Sequence, residues 1–227
     1  RGETSGLFQI EGSGMQSLLR MMRPTEFEDI MAVLALYRPG PMGTKSHETY
    51  ALVKNGKQEL QSIHPELDGP LREVLAPTYG TLCYQEQVID AVMIVADYTR
   101  GRADTVRKIM GKKKKDLLAK EYAPFSSAMT AKGYSPEAVA ALWGTLEPFA
   151  EYAFGRAHAA CYARLAYVTA WLRCHYPAEY LAALLTSVDG AKGKAALYLA
   201  ECRRLGVQVL SPDVNESAGP FTPVGKG

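Results

Sequence analysis

Apolar residues fall at helical spacing in one stretch after another, and residues that start or stop a helix bracket each stretch. Such a chain has few ways to fold other than as a packed set of helices. Ile30, Val33, Leu34 and Leu36 form one stripe, opened by Thr25 and Glu28 as a capping box and stopped at Arg38-Pro39-Gly40-Pro41. A helix over 26–37 and a rigid turn after it are expected. The turn signals Asn55-Gly56 and Asp68-Gly69-Pro70 leave room for short helices around 46–53 and 70–75. Val88, Ala91, Val92, Val95 and Ala96 make a stripe within 84–97, and 116–129 reads as a helix ending near Gly133. Ser135-Pro136-Glu137 is a helix start, with a capping hydroxyl and a proline in the first turn, and Val139, Leu142, Trp143, Leu146 and Phe149 follow. Further helices are expected over 158–175, stopped by Pro177, over 178–187, and over 194–205 until Gly206. Only Gly6 to Ile10 and Val207 to Leu210 look strand-like. The fold class is mainly α, a multi-helix domain with minor β strands at its edges.

Composition excludes several alternatives. With 227 residues, 47% of them hydrophobic and 22% charged, the chain can bury a substantial core, so disorder and fibrous architectures are ruled out. The uncharged run Leu165 to Leu172 is far short of the roughly 20 residues a bilayer span needs. The chain opens on Arg1 rather than Met, which reads as an interior piece of a longer polypeptide. Cys83, Cys161, Cys174 and Cys202 form no C-x-x-C pair, which fits a reducing cytoplasm. His158, Cys161, Cys174 and His175 suggest a metal site, but a helix would hold Cys161 and Cys174 roughly 20 Å apart. No metal is expected there, and the thiols are expected to be buried on helix faces.

Charge is unevenly placed. Arg100, Arg102, Arg107, Lys108 and Lys112 to Lys115 face a single acid, Asp104, a local +7 in a chain whose formal net is +2. Lys112 to Lys115 alone could be a solvated surface run. Arg107 and Lys108 lie one turn before Gly111 on a segment whose Val106, Ile109 and Met110 should bury the other side. Cations on a rigid support suit polyphosphate or a nucleic-acid backbone. Tyr152 to His158 places an aromatic residue, a cation and an imidazole in one glycine-containing loop. It reads either as an interhelical turn or as a place where a base or sugar stacks and a phosphate pairs. No Asp-x-Asp pair occurs, and Glu26, Glu28 and Asp29 are explained by helix capping, so no self-sufficient two-metal centre is expected.

Several motifs together resemble the alpha subunit of bacterial DNA polymerase III, the C-family replicative polymerase. They are Gly6-Leu7-Phe8-Gln9-Ile10-Glu11-Gly12-Ser13-Gly14-Met15, Ala35-Leu36-Tyr37-Arg38-Pro39-Gly40-Pro41-Met42, Pro77-Thr78-Tyr79-Gly80 with Tyr84-Gln85-Glu86-Gln87-Val88, Ala103-Asp104 to Arg107-Lys108 with Met110-Gly111-Lys112-Lys113-Lys114, and Pro212-Asp213-Val214-Asn215. Ile63-His64-Pro65-Glu66-Leu67 and Pro177-Ala178-Glu179-Tyr180 are similar to the actinobacterial type.

The resemblance implies the end of the palm at 1–23, a helical fingers domain at 24–189 and a C-terminal helix-strand part at 190–227. It implies that Arg107 and Lys108 meet the triphosphate of an incoming deoxynucleoside triphosphate and that Tyr152 and His158 flank its sugar. Arg156 lies between those two, and Arg38 supports the floor. Arg100, Arg102 and Lys112, Lys113, Lys114 and Lys115 would add attraction for DNA. Magnesium would be held by palm aspartates outside this chain and by the nucleotide. The implied partners are primer-template DNA and, through the full-length chain, the sliding clamp and other replisome subunits, in the cytoplasm and without a membrane. A noncatalytic, truncated paralogue that binds DNA or a polymerase partner is the alternative. Where the family usually reads Asn-Lys-Ser-His, this chain has Gly155-Arg156-Ala157-His158, and Arg107-Lys108 stands for the commoner Arg-Arg.

Overall fold

The computed structural model describes residues 2–112, 115–188 and 190–224, with Lys115 and Glu151 described by their backbone alone. Among these residues lie the helices α1 (Ser13–Met22), α2 (Phe27–Leu36), α3 (Pro39–Gly43), α4 (Ser46–Lys54), α5 (Pro65–Asp68), α6 (Arg72–Leu75), α7 (Gln85–Ala96), α8 (Arg100–Gly111), α9 (Lys115–Ala131), α10 (Pro136–Tyr152), α11 (Arg156–His175), α12 (Pro177–Ser187) and α13 (Lys192–Arg204). The chain divides into two units, Leu18–Cys161 and Arg1–Ser17 together with Tyr162–Gly227. No helix among the described residues is long and apolar enough to cross a membrane.

In the unit Leu18–Cys161, the stripes expected from periodicity become the core. Val88, Val92 and Val95 of α7, Val106 and Met110 of α8, Phe125 and Met129 of α9, and Leu142 and Leu146 of α10 are all fully buried in one cluster. Each such side chain contributes about 1.5–3 kcal/mol of burial. α8 packs chiefly against α7 and α10, so one face of it is committed to the core and the other faces outward. Trp143 closes the cluster, with the rings of Tyr122 and Phe125 each 5.2 Å away.

Helix α2 starts one residue later than the Thr25–Glu28 capping box predicts. Glu26 is the N-cap, and Asp29 returns the bond in the capping box. Asp29 decides this, because its fully buried carboxylate accepts from Thr25 N at 2.8 Å, Glu26 N at 3.2 Å and Tyr50 Oη at 3.1 Å, and pairs with Lys54 Nζ at 3.3 Å. Burial, together with Asp29, raises the Tyr50 phenol above its ordinary value. Arg38-Pro39-Gly40-Pro41 is not a bare turn. It opens the one-turn helix α3, since proline is preorganised for the first helical position.

In the other unit, Leu181, Leu185, Tyr198 and Cys202 form the core of α12 and α13. The strand expected at Gly6 to Ile10 is a series of turns. Its backbone is satisfied by helix side chains instead of a sheet partner: Phe8 N donates to Thr169 Oγ1 at 3.2 Å, and Tyr180 Oη donates to Gly6 O at 2.7 Å. Nor is Val207 to Leu210 a strand. Val207 N donates to Cys202 O at 2.9 Å to close α13, with Gly206 at φ 75°, and Val209 and Leu210 are exposed with no strand beside them. The β pairing among the described residues is one isolated parallel bridge, Tyr84 to Phe154. The thiols divide: Cys83 and Cys202 are buried as expected, whereas Cys161 and Cys174 are exposed on α11, whose buried positions include Ala159, Ala163 and Ala166.

Candidate functional site

The segment between α10 and α11 is bound to the start of α7. Gln85 N donates to Phe154 O at 2.9 Å, Phe154 N to Cys83 O at 3.3 Å, and Gln85 Nε2 to Ala153 O at 3.0 Å. The Gln87 amide holds the other side, its Oε1 accepting from Cys83 N and Tyr84 N and its Nε2 donating to Thr78 Oγ1 at 2.7 Å. Both oxygens of Glu86 accept from Arg156 N, at 3.1 and 2.9 Å, which places a carboxylate on the N-terminus of α11. Tyr84 to Gln87 therefore fix where the loop runs. The sequence around this motif carries no sign of that task, because its partners lie about 70 residues away.

Arg38 pins the loop from another side. Its Nε donates to Ala35 O at 3.0 Å, its Nη2 to Tyr152 O, and its guanidinium lies 4.5 Å over the Phe154 ring. Burial lowers its pKa from the ordinary arginine value. Arg38 thus turns its Nε and Nη2 to backbone carbonyls and acts as a brace. Gly40 seats Tyr152: a Cβ at that position would lie 2.2 Å from two of the tyrosine's ring atoms. The Phe154 and His158 rings stand 5.2 Å apart, and Tyr152, Arg156 and His158 are exposed. Arg156 lies 5.8 Å over the Tyr84 ring, beside a cavity of about 360 Å³ whose wall includes Glu28, Glu73, Glu86 and Asp90. That cavity is acidic and unsuited to an anion.

Arg107 and Lys108 project from the last turns of α8. Both bind Asp104: Arg107 Nε and Nη2 lie 2.9 Å from Oδ1, and Lys108 Nζ lies 2.7 Å from Oδ2. Lys108 first, and then Arg107, hold the Asp104 carboxyl below the usual carboxylate range. The carboxylate neutralises one of the two cations and orders both, leaving a cluster of net +1. α8 ends at Gly111, whose hypothetical Cβ would lie 3.3 Å from the Ala150 carbonyl oxygen. The end of α8 therefore lies against the last turn of α10, two residues before Tyr152.

The rest of the basic window is also partly paired. Arg102 bonds Glu121 and lies 5.1 Å over Tyr98, and Arg100 lies 3.8 Å from Asp90. Lys112 is exposed. Lys113 and Lys114, and the side chain of Lys115, lie outside the described residues. The +7 read from sequence, in which Asp104 is already counted, is thus thinned further by Asp90 and Glu121. Two kinds of residue escaped sequence reading: Tyr84, Gln85 and Glu86, which hold the loop, and the close-approach glycines Gly40 and Gly111. Among the described residues, no group of three or more His, Cys, Asp or Glu side chains is placed to hold a metal ion, so these residues do not fit magnesium by themselves.

A family model described as bacterial DNA polymerase III alpha subunit finger domain matches residues 1–133. The DNA polymerase III subunit alpha of Mycobacterium tuberculosis is 56% identical over 226 residues, covering all of this chain and 19% of that protein. That of Saccharopolyspora erythraea is 56% identical over 225 residues, and that of Aquifex aeolicus 41% over 221, with 99% and 97% of this chain and 19% of each relative covered. The chain spans about a fifth of the length of these relatives. With the motifs in order along the chain and relatives aligned over nearly all of it, the chain belongs to the bacterial DNA polymerase III alpha subunit family and carries its finger domain.

Proposed function

We propose that this segment is the nucleotide-binding part of a template-directed DNA polymerase. Its task is to hold the incoming deoxynucleoside triphosphate while residues elsewhere in the longer chain carry out nucleotidyl transfer. The observation that carries this reading is the approach of Gly111 to the Ala150 carbonyl, which puts Arg107 and Lys108 at the same end of the α8–α10 pair as Tyr152. In this reading Arg107 and Lys108 exchange part of their interaction with Asp104 for phosphate oxygens, and Tyr152 and His158 border the sugar. Arg156 adds a cation and Arg38 keeps the loop in place. Because the cations are already ordered, little conformational freedom is lost when the nucleotide binds. Arg100, Arg102 and the lysines from Lys112 onward act on DNA at longer range.

Magnesium belongs to the nucleotide phosphates and to aspartates outside this chain, and no step here runs through it. Residues 1–23 are the palm junction and 190–227 the C-terminal part of the fingers. The partners are primer-template DNA and the replisome, in the cytoplasm. The test is steady-state primer extension by the full-length enzyme carrying Arg107→Ala and Lys108→Ala. A raised nucleotide KM and a lowered kcat are expected, and unchanged kinetics refute the assignment. The segment alone is expected to extend no primer, and extension by it would overturn this division of labour.

A further inference from the structure

The C-terminal part of α11, within the unit formed by Arg1–Ser17 and Tyr162–Gly227, is apolar on both sides. Ala163 and Ala166 are fully buried, and Arg173 is buried on the same inner side with its guanidinium on backbone carbonyls. The outer side carries Leu165, Val168, Trp171 and Leu172, at the i, i+3, i+6 and i+7 positions that line up side chains in one stripe. Leu165, Trp171 and Leu172 are 36–50% exposed. Tyr176, 49% exposed, extends the stripe past the helix end, its ring 5.7 Å from that of Trp171. Arg164 is the one formally charged residue among the exposed positions of residues 162–176.

A solvated helix carries polar and charged residues on the face away from its core, whereas a helix that is apolar all round is a buried one. Single apolar residues on a surface need no explanation, but a contiguous aromatic and aliphatic stripe marks a surface that something covers. So little charge suits an apolar polypeptide surface rather than a nucleic-acid backbone.

The path of the chain indicates which polypeptide. Residues 8 to 3 run along the inner side of α11 toward its C-terminus. Phe8 N donates to Thr169 Oγ1 at 3.2 Å, and the Arg173 guanidinium donates to Ser5 O and Glu3 O, each at 2.7 Å. Polypeptide preceding residue 3 is therefore delivered at the turn of α11 that carries Trp171 and Leu172. The other end of the chain is tied elsewhere: Phe221 N donates to Thr186 Oγ1 at 3.0 Å, near the far end of α12 and roughly 15 Å along its axis from Tyr176. The chain spans about a fifth of the length of its relatives, so most of their polypeptide lies outside the matched part.

We infer that the outer face of α11, from Leu165 to Tyr176, is the docking surface for the polypeptide immediately preceding residue 1, which covers it with apolar side chains in the full-length protein. This goes beyond the nucleotide-binding proposal and does not rest on it.

The test places the photo-crosslinking amino acid p-benzoylphenylalanine at Leu165 or at Trp171 of the full-length polymerase. After irradiation and digestion, mass spectrometry is expected to find both positions joined to peptides that precede residue 1. Crosslinks to any other peptide, including those following residue 227, crosslinks between two copies, or no crosslink at all overturn the inference. A second measurement uses Leu172→Cys and iodoacetamide. In the full-length polymerase this thiol is expected to be alkylated at least about tenfold more slowly than after unfolding in urea, because a covered residue reacts only when its cover opens. Alkylation at the unfolded rate also overturns the inference. Neither measurement reads primer extension, so their failure is distinguishable from failure of the nucleotide-binding proposal.

Discussion

Replacing Gly40 by Ala tests how tightly Tyr152 is held. Gly40 lies in α3 without a left-handed backbone, so alanine meets no conformational penalty there, and helix propensity alone would make the change neutral or mildly stabilising. The obstacle is contact. The new Cβ would lie 2.2 Å from Tyr152 Cδ1 and Cγ and 2.8 Å from its Cβ, against the ordinary ~3.5–4.0 Å for carbon atoms. Turning the ring about its first side-chain torsion leaves the 2.8 Å contact in place, so the end of α10 must move, and the ring by more than about 1 Å.

Overpacking of this kind is destabilising by about 1–3 kcal/mol. A misplacement near 1 Å of a group that positions substrate lowers the rate by up to about a hundredfold. In the full-length enzyme, primer-extension kcat/KM for the nucleotide should fall by roughly ten- to a hundredfold while the protein stays folded. In a Tyr152→Ala background the same change should have a much smaller effect, because the ring it displaces is already gone. Unchanged kcat/KM in Gly40→Ala, or an equal loss in both backgrounds, refutes the role given to this contact.

Other outcomes follow from the same geometry. Gly155 has no left-handed φ, and a Cβ there would meet nothing closer than His158 Cβ at 3.8 Å, so the backbone accepts a side chain at this position. Gly155→Asn with Ala157→Ser restores two hydrogen-bonding groups of the family's usual loop and should raise kcat/KM for nucleotides by about tenfold, read by steady-state extension. In the other unit, the Glu201 carboxylate accepts from Arg204 Nε at 2.9 Å and Nη2 at 2.8 Å, and pairs with buried Arg173 at 3.2 Å. The Arg204 bonds, and then the nearby Arg173 charge, hold its pKa below the usual range despite burial. Its contribution to stability is therefore complete above the unfolded value, about 4.3, and is lost as pH falls through the lower folded value. Melting temperatures of wild type and Glu201→Gln should differ most at pH 6, and the difference should shrink as pH falls below the unfolded value of about 4.3. A difference that stays constant across that range would contradict the assigned ion pair.

The helices were legible in the residues because helix formation is a short-range matter. Ser135 caps α10 through Ala138 N at 3.2 Å, and Val106 and Met110 bury the face of α8 that their spacing marks. The family, too, could be read from contiguous motifs. What escaped reading was settled by partners far away in the chain. The α2 cap moved by one residue because Tyr50 and Lys54 close around Asp29. The expected strand at Gly6 to Ile10 became turns because Thr169 and Tyr180 satisfy its backbone. Asp104 lies within one helical turn of Arg107 and Lys108, yet only coordinates reveal that both cations rest on it.

The bond from Arg38 to Tyr152 spans 114 positions, that from Glu86 to Arg156 spans 70, and no local pattern encodes either. Nor could any pattern have told the buried side of α11 from its exposed one, since both are apolar and which is buried depends on everything packed around them. The sequence by itself determined where helices start and stop, because spacing and capping act within a few residues. Only the tertiary structure decided which ends of those helices meet, because burial and pairing join residues whose separation along the chain carries no signal.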